Sequence, residues 1–590
     1  MRHAGRRRHV RRGQRAHDRV PALAVAVTIE CDVLVAGSGA GGLSAAVTAA
    51  TLGLNVIVVE KEPVFGGTTA WSGGWLWIPR NPLAVEAGIV EDIEGPRTYL
   101  KHELGEQYDA ARVDAFLVHG PRMVEFFRSK TAVAWIDGNA IPDFHGTSPG
   151  AREGGRSVCA APFDGRELGR DLAKLRPPLD LIAPWGIGIA SGADLRHFLN
   201  AMRSLRSFGY VTRRVLTHWK DRLLRGDGMH RVNGNALVGR LLKSALDLGV
   251  SMRTQSPVRR LVIENGRVTG AVVGSADGDV EIDARRGVIL ACGGFAHDTA
   301  RKRALFTHAP TGEEHWSAAI PAATGDGLRL GESAGGVVDT TLRGNAGWAP
   351  VSRVPRRDGT TGTFPHLIER AKPGIIAVTR DGERFVDEAG SYYDFMDALF
   401  KAVPSGDAVE AWLVCDRRFI RRYGLGHARP APLPLLPSLR SGYLKRGRTI
   451  AELAQACGID AAALDATVTR YNESAREGCD PEFGRGNTPY DRAGGDTTQA
   501  PNPCVAPIER GPFYAVKVVP GSLGTFAGLK TDAAARVLDA GGRPIPGLYA
   551  CGNDMNSVMG GSYPSGGITL GPAMTFGYIA AHDAAGAALR

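Results

Sequence analysis

A glycine-rich run between a predicted strand and a predicted helix constrains the fold of this chain more than any other feature. Residues 27–36 form a β-branched apolar run, Gly37-Ser38-Gly39-Ala40-Gly41-Gly42 follow, and residues 43–52 have a helical pattern. Residues 55–59 then form a second apolar run that ends at Glu60. A strand, a glycine turn, a helix and a second strand with a terminal acid are typical of a dinucleotide-binding βαβ unit.

Each residue type in this unit has a chemical reason. Gly37 permits the tight turn, Gly39 lets the backbone approach a pyrophosphate, and Gly42 lets the helix pack closely on the strand. The free N–H groups and the dipole at the helix N-terminus favour phosphates. Glu60 can accept hydrogen bonds from ribose hydroxyls. We therefore predict a cofactor site that contains Gly37, Ser38, Gly39, Gly41, Gly42 and Glu60.

The stretch after Glu60 favours FAD over a nicotinamide cofactor. Nicotinamide enzymes usually continue here into another βαβ unit, whereas this chain has a loop rich in glycine and hydroxyl groups. Such a loop can place backbone amides along a flavin, and we assign to it Lys61, Gly67, Thr68, Thr69, Ser72, Gly73 and Gly74. Residues 60–74 contain no histidine or cysteine, so we expect non-covalent FAD. A later apolar run at residues 288–291, followed by two glycines, predicts a strand that returns to the same sheet.

Charge and composition disfavour several other classes of protein. The formal net charge is +10, but residues 1–19 hold eight arginines and one aspartate, so the rest of the chain is nearly balanced. We interpret residues 1–27 as a basic disordered tail, with RNA binding, a targeting presequence or an upstream start as alternatives. No uncharged apolar run reaches the about 18 residues of a membrane-spanning helix. The eight cysteines include no CxxC pair and indicate neither zinc nor disulfides. We expect a cytoplasmic protein without a nucleic-acid partner.

Segments at both ends of the chain carry a family resemblance. The runs GSGAGGLSAA (37–46), VVEKEPVFGGTTAWSGGWLWIP (58–79) and GLYACGN (547–553) resemble the 3-ketosteroid Δ1-dehydrogenases of the fumarate reductase and succinate dehydrogenase flavoprotein superfamily. The resemblance covers nearly the whole chain from residue 28 onward. It implies an α/β fold, in which an α+β substrate domain is inserted into a Rossmann-like FAD-binding domain.

The resemblance also implies where the domains and the remaining cofactor residues lie. It places the FAD-binding domain at residues 28–295 and 501–590, and the inserted catalytic domain at residues 296–500. By composition, residues 430–439 and 478–501 read as connecting loops. A helix that begins near Leu570 would point its positive end at the flavin. The further FAD-binding residues that the resemblance implies are Val258, Gly293, Asp326, Gly552, Asn553 and Leu570.

At the substrate end, the resemblance assigns three residues to catalysis. Residues 560–577 contain the family's Tyr-x-x-x-Gly element, so Tyr563 and the Gly567 N–H would hold the C3 carbonyl of a 3-ketosteroid. Tyr392, with Tyr393 as its rival, would take the C2 proton while the C1 hydride goes to flavin N5. A diffusible electron acceptor would reoxidise the flavin.

One position departs from the family pattern. Phe144 or His145 stands where the family has a second tyrosine, and phenylalanine can neither relay a proton nor lower the pKa of Tyr392. His145 could replace it, since imidazole titrates near neutral pH. The chain could therefore be another superfamily flavoenzyme, such as a 3-ketosteroid 4(5α)-dehydrogenase or a fumarate-reductase-like ene reductase, or a flavin-binding relative without turnover. The three tryptophans of residues 71–77 could wall a steroid site or belong to the core.

Overall fold

A computed structural model describes residues 28–190 and 192–589 of the chain, and its fold is mixed α/β, as the sequence predicts. The predicted basic tail, residues 1–27, lies outside the described residues. In the part that is described, strands and helices are numbered below in chain order.

The strands are β1 (Thr28–Ala36), β2 (Val56–Val59), β3 (Trp75–Trp77), β4 (Trp135–Asp137), β5 (Ser157–Ala160), β6 (Phe163–Asp164), β7 (His230–Arg231), β8 (Ser251–Arg253), β9 (Val258–Glu264), β10 (Arg267–Ser275), β11 (Gly278–Leu290), β12 (Trp316–Ser317), β13 (Val338–Asp339), β14 (Ala346–Pro355), β15 (Thr361–Pro365), β16 (Ile375–Val378), β17 (Ala411–Asp416), β18 (Leu444–Gly447), β19 (Phe513–Thr525), β20 (Gly528–Leu529), β21 (Arg536–Leu538) and β22 (Pro544–Ala550).

The α-helices are α1 (Ala40–Thr51), α2 (Pro82–Glu86), α3 (Glu94–Leu104), α4 (Ala110–Lys130), α5 (Ala193–Leu199), α6 (Leu205–Arg225), α7 (Asn233–Asp247), α8 (Thr299–Leu305), α9 (Asp326–Ser333), α10 (Tyr392–Ala402), α11 (Arg417–Tyr423), α12 (Leu436–Arg440), α13 (Ile450–Cys457), α14 (Ala461–Ala475), α15 (Pro489–Gly494) and α16 (Leu570–Ala585).

The first sheet contains the predicted βαβ unit. Its main path is β21-β22-β11-β1-β2-β8, and β10 joins β11 to β9. β1 pairs in parallel with β2 and with β11, and β11 pairs in parallel with β22. Val33, Leu34 and Val35 in β1 are fully buried, as a central strand with both faces covered requires. The predicted strands at residues 55–59 and 288–291 therefore correspond to β2 and to the end of β11.

α1 packs closely against the turn that follows β1. α1 begins at Ala40, three residues before the helical pattern, because the last glycines of the run already belong to the helix. A Cβ at Gly42 would lie 2.0 Å from the Gly37 carbonyl oxygen, so only glycine allows this approach of helix and strand. α16 packs along α1, and a Cβ at Gly577 would lie 2.4 Å from the Gly41 carbonyl oxygen.

The second sheet lies in the region of the predicted inserted domain. Its main path is β15-β14-β19-β17-β16, and β12 and β18 also pair with β19. β19 follows residue 500, which is the predicted end of the insertion, yet it pairs only within this second sheet among the described strands. The strand pairing therefore favours a later boundary, between β19 and β21, for the domain division that we propose below. The two predicted loops each contain a short helix, α12 and α15.

Candidate active site

One continuous cavity of about 1880 Å³ extends from the first sheet to the second. The ends of β1 and β2 and the N-termini of α1 and α16 line its first part. Most of residues 364–372, the start of α10 and half of α15 line another part. A pocket for one small ligand usually has about 300–1000 Å³. This cavity therefore has room for a dinucleotide and a second ligand.

The glycine-rich run forms the wall at the N-terminus of α1. Gly37 has φ +108°, which residues with a side chain rarely adopt, and a Cβ there would lie 2.1 Å from the Ala291 carbonyl oxygen. Among the described residues, a Cβ at Gly39 would meet only the Thr69 hydroxyl, at 3.6 Å, so this backbone is open to the cavity. Open backbone at a helix N-terminus is the cradle that a pyrophosphate needs.

Glu60 is held beside this cradle. Its Oε2 accepts hydrogen bonds from Ser38 N at 3.2 Å and from Ser38 Oγ at 2.6 Å, and its Oε1 accepts from Glu62 N at 3.0 Å. The carboxylate lines the cavity next to the glycine-rich run. Its contact with a ribose stays a prediction.

Lys61 and Asp326 connect the segment after β2 to α9. Lys61 Nζ donates to Thr324 Oγ1 at 2.8 Å and forms an ion pair with Asp326, the first residue of α9. Burial lowers the pKa of Lys61. Both charged groups line the cavity, so the ion pair fixes its shape at this point.

Nearly all predicted FAD-binding residues line this one cavity, although they come from distant parts of the chain. They are Gly37, Ser38, Gly39, Gly41, Glu60, Lys61, Gly67, Thr68, Thr69, Ser72, Gly73, Gly74, Val258, Gly293, Asp326, Gly552, Asn553 and Leu570. Gly42 is the exception, because it is buried between α1 and the turn at Gly37. Gly42 therefore shapes the cradle through packing, and its place among the cofactor-binding residues stays a prediction.

Four aromatic rings meet in the other part of the cavity. Phe144 stacks on Tyr563 with ring centroids 5.8 Å apart, and it contacts Tyr490 at 4.5 Å and Tyr392 at 5.4 Å. The ring centroids of Tyr392 and Tyr563 are 5.0 Å apart. All four side chains line the cavity, and we call them the aromatic cluster.

The structure separates Tyr392 from its rival Tyr393. Ser391 Oγ accepts a hydrogen bond from Asp394 N at 3.0 Å and caps α10, so the helix begins at Tyr392. Tyr392 lines the cavity, whereas the Tyr393 hydroxyl donates to the Gly561 carbonyl oxygen at 2.7 Å outside the cavity lining. The geometry therefore favours Tyr392 as the group that meets a substrate.

Electrostatics in the aromatic cluster are dominated by burial. Burial raises the pKa of Tyr392 well above its ordinary value, Tyr563 and Tyr490 raise it further, and Arg370 lowers it. Burial also raises the pKa of Tyr563 and of Tyr490 to about 12. Arg370 Nη1 donates to the Glu388 carbonyl oxygen at 2.7 Å, in the loop that precedes Tyr392. Arg370 thus places a buried positive charge near the cluster and holds the loop that presents Tyr392.

His145 does not replace the missing family tyrosine. Its Nδ1 lies 2.5 Å from Glu103 Oε2, and its Nε2 lies 2.7 Å from Asp394 Oδ2. Burial alone would lower the pKa of His145, but the hydrogen bonds to Asp394 and Glu103 raise it to about 10. His145 is therefore held between two carboxylates outside the cavity lining, whereas Phe144 faces the cavity.

Gly567 presents a backbone donor next to Tyr563. It has φ +101°, and a Cβ there would lie 2.6 Å from Trp77 N. Its carbonyl oxygen accepts from Trp77 N at 3.1 Å and from Gly571 N at 3.0 Å. Its own N–H makes no hydrogen bond to residues 28–190 or 192–589, and Gly567 lines the cavity. The fold therefore leaves this N–H available to a ligand.

The three tryptophans divide between cavity and core. Trp71 and Trp75 line the cavity. Trp77 is fully buried, stacks on Phe116 with centroids 6.1 Å apart, and donates from Nε1 to Asp143 Oδ1 at 2.8 Å. Trp75 and Trp77 are two residues apart on β3 and so lie on the same face of the strand, which means that strand alternation in the sequence could not predict that only Trp75 lines the cavity.

Sequence reasoning missed Tyr490 and Arg370. Tyr490 lies in a stretch that we read as a loop, although Thr488 and Asp491 form a capping box with proline at the first helical position. That pattern is a known signal for a helix start and could have placed Tyr490 on α15. No comparable signal marks Arg370, because arginine is ordinary on a protein surface and only the fold buries it.

Comparison with known proteins agrees with this geometry. Residues 32–570 match the model of the FAD binding domain family, and the chain belongs to that family. The open glycine backbone at the N-terminus of α1 fits an FAD pyrophosphate, so the fold and the family agree on FAD. The protein is an FAD-dependent dehydrogenase that acts on CH–CH donors.

Three relatives illustrate the similarity. The chain is 41% identical over 560 residues to a 4-oxocyclohex-2-ene-1-carboxylate 5-dehydrogenase from Sinomonas cyclohexanicum, which covers 95% of this chain and 94% of that protein. It is 38% identical over 573 residues to a 3-oxosteroid 1-dehydrogenase from Mycobacterium tuberculosis, covering 94% of this chain and 98% of that protein. It also superposes, with a TM-score of 0.87 and 36% identity, on the crystal structure of 3-ketosteroid Δ1-dehydrogenase from Sterolibacterium denitrificans in complex with 1,4-androstadiene-3,17-dione, over 94% of this chain and 99% of that one.

Proposed function

We propose that this flavoenzyme dehydrogenates a 3-ketosteroid between C1 and C2. The observation that carries the proposal is the convergence of Tyr392, Tyr563 and the Gly567 N–H in one cavity that also contains the glycine cradle. Relatives that are named 3-oxosteroid 1-dehydrogenase and the superposition on a steroid complex support the same substrate class.

The proposed chemistry begins at the ketone oxygen. The Tyr563 hydroxyl and the Gly567 N–H donate to this oxygen and stabilise the negative charge that develops on it. The α-proton at C2 becomes more acidic, and Tyr392 Oη accepts it. Bound FAD supplies the acceptor for the hydride that leaves C1. The C1–C2 double bond forms as the proton and the hydride depart.

Tyr392 can act as a base only if its phenolate is stabilised. Burial opposes ionisation, since it raises the pKa of Tyr392, and Arg370 is the cation that opposes this effect. Phe144 contributes no hydroxyl, so the proton has no relay at that position. Tyr490, which contacts Phe144, brings a hydroxyl-bearing ring to the cluster from a different segment.

The cofactor side of the proposal uses the residues that line the cavity near α1. The glycine-rich run and the N-terminus of α1 would hold the pyrophosphate, Glu60 the ribose, and the loop at residues 67–74 the flavin. We infer that FAD is bound without a covalent bond and that a diffusible acceptor reoxidises it. We further propose an FAD-binding domain interrupted by a catalytic insertion that begins near residue 296 and includes β19.

A ketone that carries a carboxylate is the second candidate substrate. The relative from Sinomonas cyclohexanicum is named for such a compound. Arg429 lines the cavity, donates from Nη2 to the Leu181 carbonyl oxygen, and forms no ion pair with any residue that the structure describes. A guanidinium without a carboxylate partner in the protein can form an ion pair with the carboxylate of a substrate. The remaining alternatives are dehydrogenation at the 4(5α) position, ene reduction of the fumarate reductase kind, and flavin binding without turnover.

The deciding experiment is anaerobic reduction of the flavin by candidate ketones. Purified holoenzyme is mixed with androst-4-ene-3,17-dione or with 4-oxocyclohex-2-ene-1-carboxylate, and absorbance near 450 nm is followed. We expect rapid bleaching by the steroid and a loss of about 10²–10⁴-fold in rate in Tyr392→Phe, the usual contribution of a general base. Identification of the product as the 1,4-diene tests the C1–C2 assignment.

Tyr393→Phe is the matched control for this experiment. It removes the same hydroxyl one residue away, from a ring that lies outside the cavity lining, and we expect bleaching at close to the wild-type rate. Bleaching by the carboxylate alone would replace the steroid with the second candidate. A holoenzyme that no ketone bleaches would refute the proposed reaction.

A further inference from the structure

α6 is amphipathic in the reverse of the usual sense, because its two buried side chains, Ser207 and His218, are polar and its largest apolar side chains are exposed. Arg214 Nη1 donates to the two carboxylate oxygens of Asp194 at 3.0 and 3.1 Å, and the Tyr210 hydroxyl donates to Asp194 Oδ1 at 2.9 Å. His218 Nε2 lies 3.0 Å from the Trp185 carbonyl oxygen. A surface helix normally turns its apolar face to the core. α6 is therefore attached to the protein through hydrogen bonds and the ion pair between Arg214 and Asp194.

The outward face of α6 is apolar. Leu205, Phe208, Leu216, Trp219 and Leu223 are 91%, 53%, 65%, 47% and 86% exposed. Their spacing of 3, 11, 14 and 18 residues from Leu205 places them on one side of a helix of 3.6 residues per turn. Single exposed apolar residues are normal, but a continuous exposed stripe marks an interaction surface. We call these five residues the apolar stripe.

Basic side chains accompany the apolar stripe along the helix. The basic residues of α6 are Arg206, Arg213, Arg214, Lys220, Arg222 and Arg225, and its acidic residue is Asp221. Within the described residues, Arg214 alone of these cations forms an ion pair. Two identical copies of so basic a surface would repel each other, whereas an anionic surface would attract it. An apolar face accompanied by lysine and arginine is typical of a helix that lies in the interface of a membrane.

The same segment forms part of the cavity wall. Leu195 and Leu199 of α5 and Tyr210 of α6 line the cavity from the inside. α5 and α6 therefore cover this part of the cavity, and the apolar stripe lies on their outer surface. In the part of the chain that the structure describes, no helix is long and apolar enough to cross a membrane, so α6 could lie on a bilayer but not span it.

We propose that α6 docks this protein on an anionic lipid surface, with the apolar stripe in the interfacial layer and the basic residues at the headgroups. Leucine, phenylalanine and tryptophan side chains supply the buried apolar area, and each lysine or arginine near an anionic surface strengthens binding about fivefold. Docking does not depend on the reaction. If the protein docks in this way, an apolar ketone could pass from the lipid into the cavity between α5 and α6. This uptake route rests on the proposed function.

Vesicle co-sedimentation of the purified holoenzyme tests the docking. The vesicles contain either phosphatidylcholine alone or phosphatidylcholine with one quarter phosphatidylglycerol. We expect binding to the anionic vesicles, at least tenfold weaker binding to the neutral ones, and weakening at 0.5 M salt. The double variant Leu216→Glu and Leu223→Glu should lose binding at least tenfold, and so should Arg213→Glu with Lys220→Glu.

Val90→Glu is the matched control, since Val90 is 75% exposed and lies outside α6. All the substituted side chains are exposed or flank the stripe, so FAD content and thermal unfolding should not change. As a second measurement, brominated lipids should quench tryptophan fluorescence, and Trp219→Phe should remove that quenching.

The outcomes separate docking from its alternatives. Equal binding of the wild type and the Leu216→Glu, Leu223→Glu variant would overturn the proposal. So would a failure of the wild type to bind anionic vesicles. A change from dimer to monomer in that variant by light scattering, without lipid binding by the wild type, would assign the apolar stripe to a second copy of the chain. Because binding is measured without substrate, failure here leaves the proposed reaction untouched.

Discussion

The two parts of the cavity are built in opposite ways. The phosphate cradle of the cofactor part uses backbone from one continuous segment, where the glycine-rich run follows β1 and opens α1. The ketone part uses side chains from positions 144, 392, 490 and 563, which only the fold brings together. A phosphate cradle needs N–H groups in a fixed geometry, and a short local motif supplies them. A ketone site needs a donor, a base and a cation at defined separations, and no local segment provides all three.

This difference predicts how the two parts respond to substitution. At the tightly packed glycines of the cofactor part, a single added methyl group would displace backbone, so we expect FAD binding to be lost. In the ketone part, removal of one hydroxyl or one charge leaves the cofactor in place and changes the reaction alone. Three substitutions test the contrast.

The largest effect is expected from Gly42→Ala. The new Cβ would lie 2.0 Å from the Gly37 carbonyl oxygen and 3.2 Å from Ala291 Cβ, and backbone cannot yield as a flexible side chain does. We expect loss of bound FAD and destabilisation of about 3 kcal/mol or more, measured by flavin absorbance and by unfolding. Gly209→Ala, on α6 with no described atom within 4 Å of the added Cβ, is the control and should keep FAD. Normal FAD content in Gly42→Ala would contradict the proposed difference between the cofactor part and the ketone part.

The second effect is expected from Tyr563→Phe. The variant keeps the ring that stacks on Phe144 and loses only the hydroxyl that we assign to the ketone oxygen. We expect flavin reduction to slow by about 10²–10³-fold, as when one oxyanion donor is removed. FAD content should stay at the wild-type level. Stopped-flow absorbance measures the rate, and an unchanged rate would remove Tyr563 from the reaction.

The third and smallest effect is expected from Arg370→Met. Loss of the cation that lowers the pKa of Tyr392 raises that pKa, so a smaller fraction of Tyr392 is phenolate at any given pH. The rate of flavin reduction should fall about tenfold at pH 8, where Tyr392 is mostly protonated in both proteins, and its rise with pH should begin at a higher pH than in the wild type. Arg370→Lys keeps the positive charge, so its rate of flavin reduction and its pH dependence should stay close to those of the wild type. A pH profile from 6 to 10 that matches the wild type would show that Arg370 only holds the loop at Glu388.

The sequence predicted the cofactor part of the cavity better than the ketone part. Residues 37–60 identify the βαβ unit from local pattern, and the returning strand at residues 288–291 is confirmed as the end of β11. Tyr563 and Gly567 are four residues apart in one motif, and both line the cavity. By contrast, the sequence did not show that β19 pairs with β14 and β17, because pairing between strands so far apart in the chain leaves no local trace, and the domain boundary stays a proposal. His145 next to Phe144 was a reasonable substitute in sequence, but α10 supplies Asp394 as its partner.

The sequence by itself determined the cofactor fold and the candidate ketone donors, since glycine spacing and apolar periodicity are local properties of a backbone. Tertiary structure decided which tyrosine meets the cavity, because Tyr392 and Tyr393 are adjacent in sequence and a helical step of about 100° sends them to different surroundings. It also decided that Arg370 is a buried charge, that Tyr490 joins the aromatic cluster, and that α6 turns its apolar side outward. Burial is a property of the assembled chain, so it appears only when distant segments have packed.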